Sequence, residues 1–251
     1  MRPFSASDLL TVWEHGMNCP PAEKALLILR SAFPEASSTA LTSLTIGQRD
    51  LCLLKLRDLT FGPRLTGVAV CPECNERVEL DFDSRDIADA NVRLPDFQSA
   101  EKTNNEFVLN LLGWELRLRL PTNADLISLS PDSNLAQMKL LEACLLDARQ
   151  EGKPVQPADL PQEIISAIAD RMMQEDPYLN ISLALKCPAC GQEWQMIFDI
   201  VSYFSNEINN WAARIMREVH HLASAYSWRE EDILSMSARR RQRYLEMIGV
   251  T

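Results

Sequence analysis

Apolar residues recur every three or four positions over most of this chain, which is the spacing of helices that bury one face. The spacing predicts helices over about 6–17, 21–33, 46–59, 134–148, 161–176 and 201–225, followed by two short helices, the last from residue 237. Residues that start or stop helices fall at the right places, since Pro21 opens the second helix and Gly62-Pro63 follows the third. The pattern therefore predicts a mostly helical protein.

Two segments in the middle of the chain alternate apolar and polar residues instead, which is the pattern of half-buried strands. Trp114 to Leu120 places its apolar residues on one face and Glu or Arg on the other. Phe107 to Leu112 precedes it, with Gly113 between the two segments. We therefore predict a small antiparallel β-sheet in this part of the chain.

Four of the seven cysteines form two matching frames, Cys71-Pro72-Glu73-Cys74 and Cys187-Pro188-Ala189-Cys190. Two residues between cysteines allow both sulfurs to bind one ion, and two such knuckles supply the four thiolates of a tetrahedral zinc site. The motif also occurs as a redox pair, but there it lies at a helix N-terminus, whereas both frames here have strand-like flanks. Disulfides are disfavoured by the odd number of cysteines and by the lack of a recognisable signal peptide. We predict one structural zinc ion bound by these four cysteines.

The segments around the two knuckles resemble each other when one is shifted by 116 positions. The shift aligns Val78 with Trp194, Leu80 with Met196, Phe82 with Phe198 and Asp83 with Asp199. Each knuckle is followed by alternating apolar and polar residues, and a shorter alternation precedes it. We therefore predict two β-hairpins, each with a knuckle at its tip, that face each other across the zinc ion. Such a zinc ribbon is split by the long segment between the knuckles.

Together these patterns predict an α+β fold that is mostly helical, with a split zinc ribbon and a small antiparallel β insertion. A chain of 251 residues is long enough for one large domain or two smaller ones. The predicted regions are an N-terminal helical region at 1–64, the split zinc ribbon at 65–86 and 178–200, an α/β insertion at 87–177, and a C-terminal helical region at 201–251.

The charge of the chain argues against several kinds of partner. It has 25 Lys and Arg against 35 Asp and Glu, a net charge of −10, with a pI near 4.9. Binding to nucleic acid or to an anionic membrane surface needs an excess of basic residues, so we expect neither. The longest apolar stretch, 25–29, is far shorter than the roughly 18 residues of a membrane span. We expect a cytoplasmic protein.

No group of residues predicts an enzyme. Cys19, Cys52 and Cys144 are isolated, and such cysteines commonly act as small buried hydrophobic residues. His220 and His221 are neighbours on a predicted helix, so their side chains point in different directions. The glycines do not form a phosphate-binding loop. We therefore expect neither catalytic residues nor a small-molecule substrate.

A basic run near the C-terminus departs from the acidic background. It comprises Arg239, Arg240, Arg241 and Arg243 on one predicted helix. One interpretation is a solvated helix surface, partly paired with the acidic residues at 230–232. The other is a docking surface, because Arg and aromatic residues are favoured in protein interfaces. The candidate residues for docking are Trp211, Tyr226, Trp228, Arg239, Arg240, Arg241 and Tyr244.

Several short motifs occur in an order that resembles a known family. They are Leu9-Leu10-x-x-Trp13-Glu14, Ile46-Gly47-x-Arg49-Asp50, Phe61-Gly62, the two knuckles, Leu120-Pro121-Thr122-x-x-Asp125, Phe198-Asp199-Ile200, and an ending that runs from Glu218 to Leu234 and from Arg239 to Tyr244. The arrangement resembles the T-even phage baseplate hub assembly chaperone family, in the zinc-ribbon form found beside phage-tail-like contractile injection genes. The similarity extends from about Leu9 to Tyr244.

The resemblance implies a non-enzymatic assembly role. The protein would bind a baseplate or hub protein of a contractile tail-like particle, either as a transient chaperone or as a minor component that stays in the particle. Phage members of the family need not keep the four cysteines, so the zinc site does not define the role. Two other classes stay open from the residues alone: a zinc-ribbon nucleic-acid-associated factor, and a redox protein that uses the CPxC motifs.

Overall fold

The computed structural model describes residues 1–88, 94–95, 105–129 and 133–250, so parts of the predicted insertion lie outside the described residues. The helices are α1 (Ala6–Gly16), α2 (Pro21–Ala32), α3 (Ser38–Thr42), α4 (Ile46–Phe61), α5 (Asn123–Ser128), α6 (Ser133–Cys144), α7 (Gln162–Glu175), α8 (Ile200–Tyr226), α9 (Glu230–Ser235) and α10 (Ala238–Met247). The strands are β1 (Arg64–Val70), β2 (Arg77–Asp83), β3 (Glu106–Leu111), β4 (Trp114–Arg119), β5 (Leu145–Gln150), β6 (Lys153–Pro154), β7 (Ser182–Lys186) and β8 (Glu193–Ile197).

The helices begin where the sequence provides caps. Ser5 before α1 and Thr45 before α4 each form a capping box with the residue three positions further on. Asp199 caps α8 by accepting hydrogen bonds from the first backbone N–H groups of that helix. Because these signals are local, α1, α2, α4, α7, α8 and the two closing helices lie within a few residues of their predicted positions. The structure confirms an α+β fold with small antiparallel sheets.

The last four residues of the helix predicted at 134–148 are wrong. Helix α6 ends at Cys144, and the chain continues as β5, which pairs antiparallel with β4. Ala148 lies opposite Leu116, and both side chains are buried. A short apolar run fits a helix and a buried strand equally well, and the unpaired edge of β4 favours the strand here. The predicted pair of strands is therefore a four-stranded antiparallel sheet in the order β3-β4-β5-β6.

The two largest apolar cores organise most of the described part of the molecule. The larger core is built by α1, α2, α4 and the first half of α8, with Ile28, Leu53 and Phe204 among its fully buried side chains. Leu65 of β1 and Phe198 after β8 belong to the same core. The smaller core lies between the four-stranded sheet and helices α6 and α7. Each large apolar side chain buried in this way contributes about 1.5–3 kcal/mol.

A short backbone bridge, which we call the joint, connects the segment before α4 with the segment after β4. Thr45 and Thr122 form an isolated antiparallel bridge. The N–H of Ile46 donates a hydrogen bond to the carbonyl of Pro121 at 3.1 Å. These residues lie in or beside two of the motifs that carry the family resemblance. Those motifs therefore mark a structural contact between the helical body and the insertion.

Candidate metal centre

Each cysteine knuckle lies at the tip of a two-stranded antiparallel hairpin. Strand β1 pairs with β2 around the first knuckle, and β7 pairs with β8 around the second. The two turns are built alike, since the N–H of the first cysteine donates to the carbonyl five residues further on, at 2.9 Å from Cys71 and 2.8 Å from Cys187. Both turns then pass through the left-handed region, at Asn75 (φ 59°) and Gly191 (φ 76°), which are residue types that tolerate it. The two knuckles are thus two copies of one turn.

The sulfur atoms of Cys71, Cys74, Cys187 and Cys190 come together between the two hairpin tips, all within 4.8 Å of one another. The Sγ–Sγ distance is 3.6 Å for Cys71–Cys190 and also for Cys74–Cys187. A tetrahedral ion with metal–sulfur bonds of about 2.3 Å separates its sulfurs by about 3.8 Å, so these positions fit such an ion. Cys71 and Cys187 are buried, whereas Cys74 and Cys190 lie at the exposed rim. Within the described ranges this is the single group of His, Cys, Asp and Glu close enough to hold a metal ion.

The thiols of this cluster lie in unequal electrostatic surroundings. Backbone N–H groups of Cys190 and Ala189 point at the sulfur of Cys187 and lower the pKa of that thiol to about 7, against the opposing effect of burial. At Cys74 the N–H of Glu76 also lowers the pKa, but the crowded neighbouring sulfurs outweigh it and raise the pKa to about 12. Four negative thiolates at such distances repel one another. A bound cation is the group that would allow all four to ionise together.

Aromatic packing joins the bases of the two hairpins. The rings of Phe82 and Phe198 meet edge to face with centroids 6.0 Å apart, and the Tyr203 ring lies 5.3 Å from that of Phe198. The Tyr203 hydroxyl donates to the carbonyl of Thr66 and accepts from its N–H, both at 3.0 Å. Phe82 and Phe198 are equivalent under the 116-residue shift. The repeated units therefore pack against each other through the same side chain.

The repeat continues one residue further, at Asp83 and Asp199. Asp83 accepts a hydrogen bond from the N–H of Arg85 and caps a short 3-10 turn, and Asp199 caps α8. Arg85 also holds the Asp83 carboxylate, which lowers its pKa to about 2. Each hairpin thus ends in an aspartate that starts the next helical segment.

Neither knuckle lies at the N-terminus of a helix, because each connects two strands of a hairpin. A thioredoxin-like redox motif depends on that helix N-terminus to stabilise its reactive thiolate. The backbone around these cysteines therefore lacks that feature of a redox motif.

A protein-family model described as T4 bacteriophage base plate protein matches residues 22–205. The matched range contains both hairpins, the joint and the start of α8. This chain belongs to the T4 base plate protein family. Searches of curated proteins and of solved structures give no match. A phage base plate family suggests a structural protein that contacts other base plate proteins, and it suggests a protein without catalytic activity.

The C-terminal part of this base plate protein, residues 206–251, lies outside the matched range. It contains the candidate docking residues proposed from the sequence. Among the described residues, no helix has both the length and the apolar content that crossing a membrane requires.

The candidate docking aromatics pack against one another and against the core of the base plate protein. Tyr226 and Trp228 stack with centroids 4.4 Å apart, and Tyr244 meets the Trp228 ring edge to face at 4.8 Å. Trp211 packs against the larger core and against a small cluster around Ala212. All four aromatic side chains are half-buried. Three of them hold α10 against the end of α8, and their role in docking stays a prediction.

The arginines of the C-terminal run differ in their surroundings. Arg241 is buried, and its guanidinium donates to Glu218 at 3.0 Å and to the carbonyl of Met236 at 2.6 Å. Arg239 and Arg240 are exposed, and Arg240 lies over the Tyr244 ring at 5.7 Å. The ion pairs expected with residues 230–232 do not form in the described structure, because Arg241 faces α8 instead. Docking through Arg239, Arg240 and Arg241 stays a prediction, and Arg241 also stabilises the packing of α10.

The isolated cysteines behave as buried hydrophobic residues in two of three cases. Cys52 and Cys144 lie in the larger and the smaller core, and burial raises their pKa to about 12 and about 11. Cys19 is half-buried and donates to the carbonyl of His15. None of these thiols belongs to the four-cysteine cluster.

Two buried charged residues make long-range contacts that could not be predicted from the sequence. Arg57 of α4 pairs with Glu207 of α8, and Asp176 after α7 accepts a hydrogen bond from Gly47. Both contacts join residues more than 100 positions apart. No local sequence pattern carries that information.

Proposed function

We propose that this base plate family member is a non-enzymatic assembly factor of a phage-tail-like contractile particle. It would bind a base plate or hub protein, either as an assembly chaperone or as a minor component that remains in the particle. The family match over residues 22–205 carries the proposal, because a base plate protein functions through contacts with other base plate proteins.

We infer that zinc occupies the four-cysteine cluster and has a structural role. Thiolates select zinc or iron–sulfur clusters over oxygen-seeking ions such as Mg²⁺ and Ca²⁺, and two CPxC knuckles are typical of a closed tetrahedral zinc site. Four protein ligands leave no open position for a substrate. The ion would connect the two hairpins into a split zinc ribbon and contribute an apparent free energy on the order of 10 kcal/mol.

The proposed split ribbon also defines how the chain divides into regions. Residues 65–86 and 178–200 would form it, with the α/β insertion at 87–177 and the helical regions at 1–64 and 201–251 around it. The larger core, which contains residues of α1, α4, β1 and α8, supports a ribbon that rests on both helical regions. Reduced thiols suit the cytoplasm of the producing cell, where we place the protein during assembly.

The first experiment is native mass spectrometry of the tagged chain purified from its own host under reducing conditions. We expect a mass increase of one zinc ion per chain and a co-purified base plate or hub protein. A preparation without zinc whose mass is lowered by disulfide formation would contradict the metal assignment and favour a redox protein. A preparation with zinc that carries nucleic acid instead of a base plate protein would contradict the assembly role.

The substitution Cys187→Ser tests the ligand set. Serine is a poor zinc ligand, so we expect loss of the bound ion and a lower midpoint of thermal unfolding. Cys19→Ser is the matched control, because Cys19 lies outside the cluster. We expect this variant to retain one zinc per chain. Unchanged zinc content in Cys187→Ser would refute the four-ligand assignment.

A further inference from the structure

A groove between α8 and α10 carries positive charge, and through Leu245 and Val250 it borders the cluster of Tyr226, Trp228 and Tyr244. It is lined by Arg214, Arg217, Glu218 and His221 of α8, by Gln242 and Leu245 of α10, and by Val250. The α8 positions recur at three- and four-residue spacing, so they lie on one face of that helix. Arg214 and Arg217 are exposed to solvent. The groove has a volume of about 230 Å³.

The basic side chains of the groove outnumber its acidic partners. Glu218 is the single acidic residue in the lining, and it already accepts from Arg241 at 3.0 Å. Arg214 lies 3.8 Å from the same carboxylate. Arg217 donates to the carbonyl of Ala213 at 3.1 Å and forms no ion pair with any described residue. The groove therefore retains a positive charge that no acidic residue of the described chain neutralises.

The rest of the chain has the opposite charge. Residues 201–250 contain seven arginines, no lysine and six acidic residues, whereas residues 1–200 contain 18 Lys and Arg against 29 Asp and Glu. A negatively charged ligand is attracted to the C-terminal helices and repelled by the remaining surface, which orients its approach. Arginine is also the side chain whose planar fork matches a carboxylate with two parallel hydrogen bonds.

We propose that this groove binds an acidic segment of the partner protein, with carboxylates of Glu or Asp contacting Arg214 and Arg217. The proposal rests on the proposed function for the identity of the partner and deepens it by stating the chemistry of recognition. It also distinguishes Arg214 and Arg217, which would contact the partner, from Arg241, whose guanidinium forms hydrogen bonds within the chain.

An acidic protein segment fits the groove better than a nucleic acid does. The two exposed arginines are three positions apart, so they cover about one helical turn. An extended polyanion is also disfavoured by the net charge of −10 on the chain as a whole. Nucleic-acid affinity needs many phosphate contacts, and this groove offers two exposed arginines.

The test measures binding of a labelled glutamate-rich helical peptide to the full chain by fluorescence anisotropy at low salt. In Arg214→Gln/Arg217→Gln we expect the peptide affinity to fall about tenfold, which corresponds to two exposed charge pairs. Raising the salt concentration should weaken binding to the unchanged chain, since exposed pairs are screened. The peptide should also displace the base plate protein that co-purifies with the chain.

Arg229→Gln/Arg243→Gln is the matched control. It removes the same charge from the same region, but neither residue lines the groove. We expect the control to retain most of the peptide affinity. Equal losses in the two double variants would assign the effect to diffuse charge and overturn the groove as the site.

Other outcomes separate the groove from the assembly role. If a base plate protein co-purifies equally well with Arg214→Gln/Arg217→Gln, the groove proposal is wrong and the assembly role stands. If labelled oligothymidine binds through these arginines more tightly than the peptide does, the ligand is a nucleic acid. If self-association, measured by analytical ultracentrifugation, is lost in this variant, the occupant is a second copy of the chain. Either of the last two results overturns the proposal.

Discussion

Gly47 and Asp176 make a close contact where the start of α4 meets the end of α7. The Asp176 carboxylate is buried and accepts a hydrogen bond from the Gly47 N–H at 2.9 Å. A helix N-terminus suits a carboxylate, because its first N–H groups have no partner within the helix and its dipole is positive there. A Cβ atom at position 47 would lie 1.9 Å from Oδ1 of Asp176. Glycine is required here by this close approach.

The substitution Gly47→Ala tests that requirement. We expect the free energy of unfolding to fall by about 1–3 kcal/mol, because the new methyl group displaces a buried carboxylate from its hydrogen bond. Urea unfolding followed by circular dichroism measures the change. Gly16→Ala in α1 is the control, since its Cβ would meet its nearest neighbour at 3.6 Å. A similar loss of stability in both variants would contradict the explanation.

At the scale of elements, Arg57 ties α4 to α8. Its guanidinium donates to both carboxylate oxygens of Glu207, at 2.8 and 2.6 Å. It also donates to the carbonyls of Gly62 and Arg64 in the turn that leads into β1, the latter at 2.7 Å. The side chain is 3% exposed. One residue thus positions the long helix and the first hairpin relative to α4.

Removing this buried charge should cost far more than removing an exposed one. We expect Arg57→Ala to lower the free energy of unfolding by about 3–5 kcal/mol, because it leaves Glu207 and two carbonyls without their partner. Arg64→Ala removes an exposed pair with Asp81 and should cost about 0–1 kcal/mol. Denaturant unfolding of both variants checks the difference. Comparable losses would show that burial of Arg57 does not govern its contribution.

The elements that could be predicted are those whose signals are local. Caps and apolar spacing located the long helices, and the spacing of Cys71, Cys74, Cys187 and Cys190 indicated the cluster. Strand β5 was missed because its partner β4 lies about 30 positions earlier. Likewise, Arg241 pairs with Glu218 on a different helix rather than with residues 230–232. Distant partners are chosen by tertiary packing, which spacing alone does not specify.

At the scale of the whole molecule, the two hairpins are held at both ends. Their bases share the larger core through Leu65 and Phe198, and their tips meet at the four sulfurs. The segments between tip and base include exposed apolar side chains such as Val68 and Val70. Order at the tips therefore depends on whatever holds the sulfurs together.

Removal of metal should loosen the hairpin tips before the helical body. After treatment with a thiol-compatible chelator we expect faster amide hydrogen exchange in β1, β2, β7 and β8, with α2 and α4 still protected by the larger core. Hydrogen exchange read by mass spectrometry gives both results in one sample. Cys187→Ser should exchange in the same way with or without chelator. Unchanged exchange in the hairpins of the treated protein would rule out a stabilising metal.

The 116 positions between the two knuckles also set an order of events on the ribosome. The first hairpin emerges long before the second, and at roughly 5–20 residues per second the delay is about 6–23 s. Throughout that interval only Cys71 and Cys74 of the cluster are present, because Cys187 and Cys190 have not yet been synthesised. The nascent chain can close this cluster only after its insertion has been synthesised. Completion of the four-sulfur site is therefore a late step of biogenesis.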